Sequence, residues 1–249
     1  GSIAEQMGRF QVDRAESPRE EQYIAYFQSF SNTYAPVDVL RPLYEEALAQ
    51  PGVVGLAVST RPDCLPEPVL DLLEELAQRT WVSLELGVQS LRADSLTNIG
   101  RGHTVEQSLT AIKACKARGL FVCAHQIFGL PGESRDDWLA TATGLSAAGI
   151  DAIKFHMLYV VEGTALARRW AAGEVPLLSM SEYVTAVVDV LERIRPEIVV
   201  QRMVSDGLFG RTLAPTWMLE KGGRLDKDLF LAEVRKEFVA RGTEQGDLC

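Results

Sequence analysis

The sequence predicts a parallel α/β barrel, full or partial, and three observations predict it. Apolar, strand-like runs alternate with segments of helical period along the whole chain, the rhythm of successive βαβ units. The runs at 53–59 and 81–86 are almost continuously apolar, as expected of strands covered on both faces. The run Phe121-Val122-Cys123-Ala124-His125-Gln126-Ile127-Phe128 leads straight into Gly129-Leu130-Pro131-Gly132-Glu133, with Ser134 and Asp137 placed to cap a helix. Strand, glycine turn and helix N-terminus in that order mark the carboxyl ends of parallel strands, where such folds bind ligands.

The elements follow in order. The opening 1–22 is polar and of mixed charge, and its pattern leaves helix or loop open. The first strand is Tyr23 to Gln28, leading to a polar turn through Asn32 and Tyr34. Pro36 suits a helix start, and Val37, Leu40, Leu43 with Tyr44, and Ala47 keep the helical period until Pro51-Gly52. After the second strand come Thr60-Arg61-Pro62-Asp63 and a helix marked by Val69, Leu72, Leu73 and Leu76. The third strand ends at Gly87-Val88-Gln89-Ser90. Thr104 and Gln107 then frame a capping box for a helix carrying Leu109 and Ile112, closed by Gly119. The fourth strand begins at Phe121 and its helix runs to Gly149; the fifth is 151–158. A short helix ending near Gly173 and a longer one from Ser181 to Arg195 precede a sixth strand, 198–203. A final helix, Leu225 to Arg241, closes the chain. The expected organisation is 1–22 as a polar segment, 23–207 as the barrel and 208–249 as the cap.

Composition narrows the class. Of 249 residues 47% are hydrophobic, enough for a full core, and no apolar run approaches the roughly 20 residues of a membrane span. No signal peptide is evident, so the expectation is a cytoplasmic protein with no membrane contact. The net charge of −9 argues against coating nucleic acid by bulk charge and leaves room for a local basic groove. Cys64, Cys115, Cys123 and Cys249 have neither disulfide-scaffold nor metal-site spacing. Cys115 falls on a helix's apolar face and Cys123 within a strand, so both read as small core residues, and no metal ligand set is expected.

In that register the strand ends present Gln28 and Asn32, Ser59 and Arg61, Glu85 and Gln89, His125, Lys154 and His156, and Arg202. Polar groups gathered at one rim are the look of a small-molecule site, although every barrel rim is more polar than its core.

The strings Glu85-Leu86-Gly87-Val88-Gln89-Ser90, Asn98-Ile99-Gly100-Arg101-Gly102-His103 and Gln126-Ile127-Phe128-Gly129-Leu130-Pro131-Gly132-Glu133 occur in that order. Together they resemble the radical SAM superfamily, in particular the branches of the Elongator catalytic subunit and of oxygen-independent coproporphyrinogen oxidase. The run from Ala25 to Pro36, Lys154-Phe155-His156 and the ending Arg241-Gly242-Thr243-Glu244-Gln245-Gly246 make the chain similar to YtqA/YhcC-type radical SAM proteins.

The resemblance implies S-adenosylmethionine and a 4Fe–4S cluster as cofactors, and an electron donor such as flavodoxin or ferredoxin as partner. The family's CxxxCxxC cluster loop has no counterpart here. The expected architecture is therefore an α/β, partial (β/α)6 TIM-type barrel lacking its first strand and cluster loop, with a C-terminal helical cap. The chain as given is expected to be inactive.

The resemblance puts Gln89 and Arg101 on the amino-acid end of S-adenosylmethionine. An amide that donates and accepts and a planar guanidinium fork suit that group. The alternative for Arg101 is a surface loop arginine. His125 stands where a related branch has an aspartate that touches the nucleoside; the alternative is a hydrogen-bonded core histidine. Glu85, buried on a central strand, needs a partner such as Arg101 or Lys154, or a ligand. Ser59 replaces a glutamate of related branches, and Ile127 is placed to pack on adenine while Phe128 reads as core. Gln28, Lys154 and His156 complete the cofactor-side set, and Lys154, His156, Asn32, Tyr34 and Arg202 also suit substrate.

The Elongator-like strings imply a nucleoside of tRNA, a wobble-uridine side chain, as substrate; the negative charge weighs against it. Two other readings remain: an acid–base barrel enzyme using His125, Glu85 and Lys154, and a cluster-free protein that binds S-adenosylmethionine or a partner.

Overall fold

The computed structural model describes residues 2–12, 22–208, 210–219 and 225–249. Six parallel strands form one sheet: β1 (Tyr23–Phe27), β2 (Val53–Thr60), β3 (Trp81–Gln89), β4 (Phe121–Phe128), β5 (Ala152–Met157) and, two strands later in the chain, β7 (Val199–Arg202). Their order in the sheet is their order in the sequence, with helices as the crossovers. That is the connectivity of a partial (β/α)6 barrel and bears out the expected class.

The chain divides into two compact units, Gly1–Gly87 with Glu106–Cys123, and Val88–Val105 with Ala124–Cys249. In the first, the opening segment forms α1 (Ile3–Val12), whose Ala4 N–H donates to Glu46 Oε1 at 3.0 Å. The remainder of that segment, 13–21 with Pro18, lies outside the described residues. Strand β1 pairs with β2, and β2 with β3 in a register that sets Ser59 opposite Glu85. Gly55 permits the second pairing, because a Cβ there would sit 3.0 Å from the Trp81 carbonyl oxygen.

The helices of this unit bury one stripe each. In α2 (Val37–Leu48) the stripe is Leu40, Tyr44 and Ala47, and in α3 (Glu67–Ala77) it is Val69, Leu70, Leu72, Leu73 and Leu76. Leu43 and Leu109, which mark the helical period in the sequence, are 37% and 36% exposed. Leu43 directly precedes Tyr44, which takes the buried side of that turn; on α5 (Val105–Ala117) the small residues Ser108, Ala111 and Cys115 line the buried side with Ile112.

In the second unit α6 (Arg135–Ala147) starts with the expected capping box. Ser134 N and Oγ both donate to Asp137 Oδ2, at 2.7 and 2.8 Å. On the helix-covered face of the strands, Phe128 packs on Trp138, Phe155 and Tyr183 with ring centroids 5.3–5.8 Å apart. Tyr183 lies on α8 (Met180–Leu191), whose own capping box joins Ser179 to Glu182. Phe128 is core, as its sequence reading held.

The pattern did not foretell three small elements: α4 (Ala93–Asn98), and β6 (Val160–Val161) paired antiparallel with β8 (Thr212–Ala214). Each is too short to show a period. Helix α7 (Ala165–Ala171) lies between β6 and α8, and α9 (Lys227–Arg241) closes the chain, capped by Asp226 and ended by Gly242 at φ 67°.

Candidate functional site

Each unit brings part of the sequence-derived set together. In the first, Tyr26, Ser59 and Glu85 sit on neighbouring strands, and Gln28 follows β1 fully exposed. Glu85 is 4% exposed, and its carboxylate accepts a hydrogen bond from the Tyr26 hydroxyl. The sequence reading sought a partner for Glu85 and did not single out Tyr26.

The loop after β1 is tied to the end of β2. Asn32 Nδ2 donates to the carbonyls of Phe27 and Ser59 at 2.9 and 3.0 Å, and Tyr44 OH donates to Asn32 O at 2.7 Å. Asn32 is thus a loop former here, with its amide hydrogens already used. Tyr34, by contrast, is 82% exposed. The arginine after β2, Arg61, pairs with Asp63 two residues on.

In the second unit the strand face opposite the aromatic cluster carries His125 and Ile127 on β4 and Lys154 and His156 on β5. The two imidazole rings stand 5.2 Å apart, and Arg202 lies opposite Lys154 in the β5–β7 register. His125 and Lys154 are buried, while Ile127, His156 and Arg202 are partly exposed. Two histidines, a lysine and an arginine along one face suit an anionic or hydrogen-bonding ligand.

At the end of β3 the backbone departs from the ordinary. Gln89 has φ 72°, the left-handed region in which a side chain other than glycine is uncommon. Its side chain is partly exposed, whereas Ser90 is 1% exposed. Ser90 Oγ donates to the Glu133 carboxylate in the glycine turn after β4 and accepts from Arg92 N at 3.0 Å. Leu91 N donates to Thr141 Oγ1 at 3.1 Å, and the Arg92 guanidinium donates to the Gly132 carbonyl. Burial pushes the Glu133 carboxyl above its usual range, against the pull of the Ser90 hydrogen bond.

Beyond α4, Arg101 lines a cavity of about 370 Å³ with Leu96, Thr97, Gly102, His103 and Thr104 among its walls. His103 is buried with its Nε2 3.4 Å from the Val88 carbonyl oxygen, which joins this loop to the end of β3. Gln89 is outside that lining set. Ser90, Glu133 and His103 all stood inside strings noticed in the sequence, yet had no role assigned to them.

The cysteines are dispersed. Cys64, Cys115 and Cys123 are buried and Cys249 is exposed. Burial pushes the Cys115 thiol up to about 12, so in the chain alone it stands as a neutral thiol. Among the described residues no three His, Cys, Asp or Glu side chains are placed to hold a metal ion. The residues present do not fit a 4Fe–4S cluster.

The fold and these strand ends define a class. The Radical SAM superfamily profile matches residues 11–143 and the Radical_SAM C-terminal domain matches 150–229. The chain belongs to the radical SAM superfamily. Within it, the chain is similar to YtqA of Bacillus subtilis, 38% identical over 92% of this chain and 69% of the relative. It is also 37% identical to YhcC of Escherichia coli K12, over 93% of this chain and 75% of that protein. A solved structure of Elp3 from Methanocaldococcus infernus, with an N-terminal deletion, superposes over 95% of this chain and 58% of that one. Its TM-score is 0.76 at 20% identity, a likeness of fold.

Proposed function

We propose that the protein is a radical SAM enzyme whose described residues supply the S-adenosylmethionine side of the site. The observation that carries this reading is the superfamily match over 11–143, which takes in Gln89, Arg101 and His125. Were the cluster and S-adenosylmethionine bound in the protein from its natural reading frame, they would supply the radical chemistry. This chain's part is to bind and orient. Gln89 and Arg101 hold the amino and carboxylate groups; His125 and Ile127 take the ribose and adenine. Lys154, His156 and Arg202 face the substrate.

We further propose a tRNA nucleoside as substrate, a wobble-uridine side chain, reduction by flavodoxin or ferredoxin, and a cytoplasmic site of action. The likeness to the Elongator catalytic subunit supports the substrate; the row of basic residues supports contact with an anionic molecule. No helix among the described residues is long and apolar enough to cross a membrane.

The test is on the protein expressed from its natural reading frame, reconstituted anaerobically and reduced. It should release 5′-deoxyadenosine from S-adenosylmethionine, and cells lacking the gene should show an altered wobble nucleoside by mass spectrometry. A protein that takes up iron and sulfide and yet never cleaves S-adenosylmethionine would sink the reading. A second reading, a cluster-free S-adenosylmethionine-binding protein, is favoured by the dispersal of the cysteines.

A further inference from the structure

The turn that follows β3 is more heavily braced than a surface turn requires. Gln89 stands at φ 72°, a strained conformation for a residue with a side chain, which persists where its surroundings over-determine it. Glycine would occupy the position freely, and the Gln89 side chain is partly exposed, so core packing does not account for it.

The bracing comes from the three residues after it. The Ser90 hydroxyl uses its donor on Glu133 and accepts from Arg92 N. The Leu91 amide goes to Thr141 on α6. The Leu91 side chain fits where α6 carries Gly144, since a Cβ there would come within 2.7 Å of Leu91 Cδ1. Arg92 reaches the carbonyl of Gly132, itself at φ 84°. Apart from the local Arg92 N–Ser90 Oγ bond, each of these bonds ends on the turn after β4 or on the helix that the turn starts. Hydrogen bonds that converge on one turn in this way leave the backbone before them little freedom.

We propose that Ser90 and Glu133 are positioning residues, a clamp between the β3 and β4 exit turns that aims the Gln89 amide at the α-amino acid end of S-adenosylmethionine. The role of Gln89 rests on the function proposed above; the clamp does not follow from it.

The amino-acid end is what distinguishes the clamp from general support of the fold. 5′-Methylthioadenosine carries the same nucleoside without the amino acid. On the reconstituted protein from its natural reading frame, equilibrium binding of both ligands is measured for the wild type, Gln89→Ala, Ser90→Ala and Glu133→Ala. Ser90→Ala and Glu133→Ala should each weaken S-adenosylmethionine about tenfold while 5′-methylthioadenosine stays within about twofold. The double variant should lose little more than either single one. Ser90→Thr and Glu133→Gln, which keep a hydroxyl donor and an oxygen acceptor, should restore most of the affinity.

Arg92 is 35% exposed, so Arg92→Met should disturb the fold least, and it should show the same selective loss, smaller in size. Equal losses for both ligands, or none for S-adenosylmethionine, would overturn the clamp while Gln89→Ala still loses binding. A wild type that ignores S-adenosylmethionine, or a Gln89→Ala variant that binds it normally, would overturn the site reading itself and the clamp with it.

Discussion

At the scale of single residues, the pairings that matter lie far apart in the chain. Tyr26 and Glu85 are separated by 59 positions, and Ser90 and Glu133 by 43. Removing the Tyr26 hydroxyl takes a hydrogen bond from a carboxylate that is 4% exposed. Tyr26→Phe should therefore lower the unfolding free energy by about 1.5–3 kcal/mol in urea titrations, the worth of a hydrogen bond to a charged group. Much of that loss should vanish in a Glu85→Met background, which has no oxygen to accept the bond, and an undiminished loss there would refute the pairing. Gln89 gives a second check. Because its backbone is left-handed, Gln89→Gly should be at least about 1 kcal/mol more stable than Gln89→Val, whose β-branched side chain resists that region. Gln89 and Arg101 could be nominated from sequence because their strings are local in it. Their supports could not, since a serine inside a motif gives no sign of which acid it will meet. Nor does a tyrosine on an edge strand announce that its hydroxyl will meet a buried carboxylate.

At the scale of elements, the closing helix shows how an apolar period can hide a polar anchor. Helix α8 reads as apolar, yet Asp189 and Glu192 are each 2% exposed. Arg241 Nη1, at the end of α9, donates to Asp189 Oδ1 at 2.8 Å and to Glu192 Oε2 at 3.1 Å. Arg135 from α6 reaches the other Asp189 oxygen, and Thr243 donates to Glu192 Oε1 at 2.6 Å. Past Gly242, Leu248 N donates to Glu192 O at 2.7 Å and Gln245 Nε2 to Ile198 O at 2.9 Å. The string Arg241-Gly242-Thr243-Glu244-Gln245-Gly246, noticed in the sequence for its resemblance, is thus the fastening of α9. Arg135 still pairs with Asp189 and Thr243 with Glu192, so Arg241→Met should lower stability by less than the roughly 3–5 kcal/mol of an uncompensated buried charge. Burial raises the Asp189 carboxyl, and the bonds from Arg135 and Arg241 more than reverse it, holding it below the usual range. A depressed acid contributes stability that is complete above its unfolded value, about 3.9, and is lost as pH falls through the folded one. Wild-type stability should fall as pH drops below about 4, and Arg241→Met should flatten that slope. An unchanged acid limb in urea titrations would count against the anchor.

At the scale of the whole molecule, the alternation of strands and helices made the sheet order legible, because short crossovers leave successive parallel strands adjacent. The placement of the cysteines was legible as well, and it bears on chemistry. A site-differentiated 4Fe–4S cluster needs three thiolates close together. Cys64 ends the 3-10 turn Pro62–Cys64 after β2, Cys115 lies on the buried stripe of α5, Cys123 is inside β4, and Cys249 is exposed. Each of the three buried thiols sits in a different element. For Cys115 burial also opposes the charge that a ligand would need. Reorganising β4 or α5 to gather them would expose the apolar residues those elements bury, and no cluster-binding loop offsets that cost among the described residues. The 249-residue chain should therefore take up far less than one cluster after anaerobic reconstitution, by iron and sulfide analysis, and release no 5′-deoxyadenosine when reduced. Cys64→Ser, Cys115→Ser and Cys123→Ser should leave that low iron content unchanged. About four irons and four sulfides per chain, lost again on any one of those substitutions, would overturn the assignment and make those cysteines ligands.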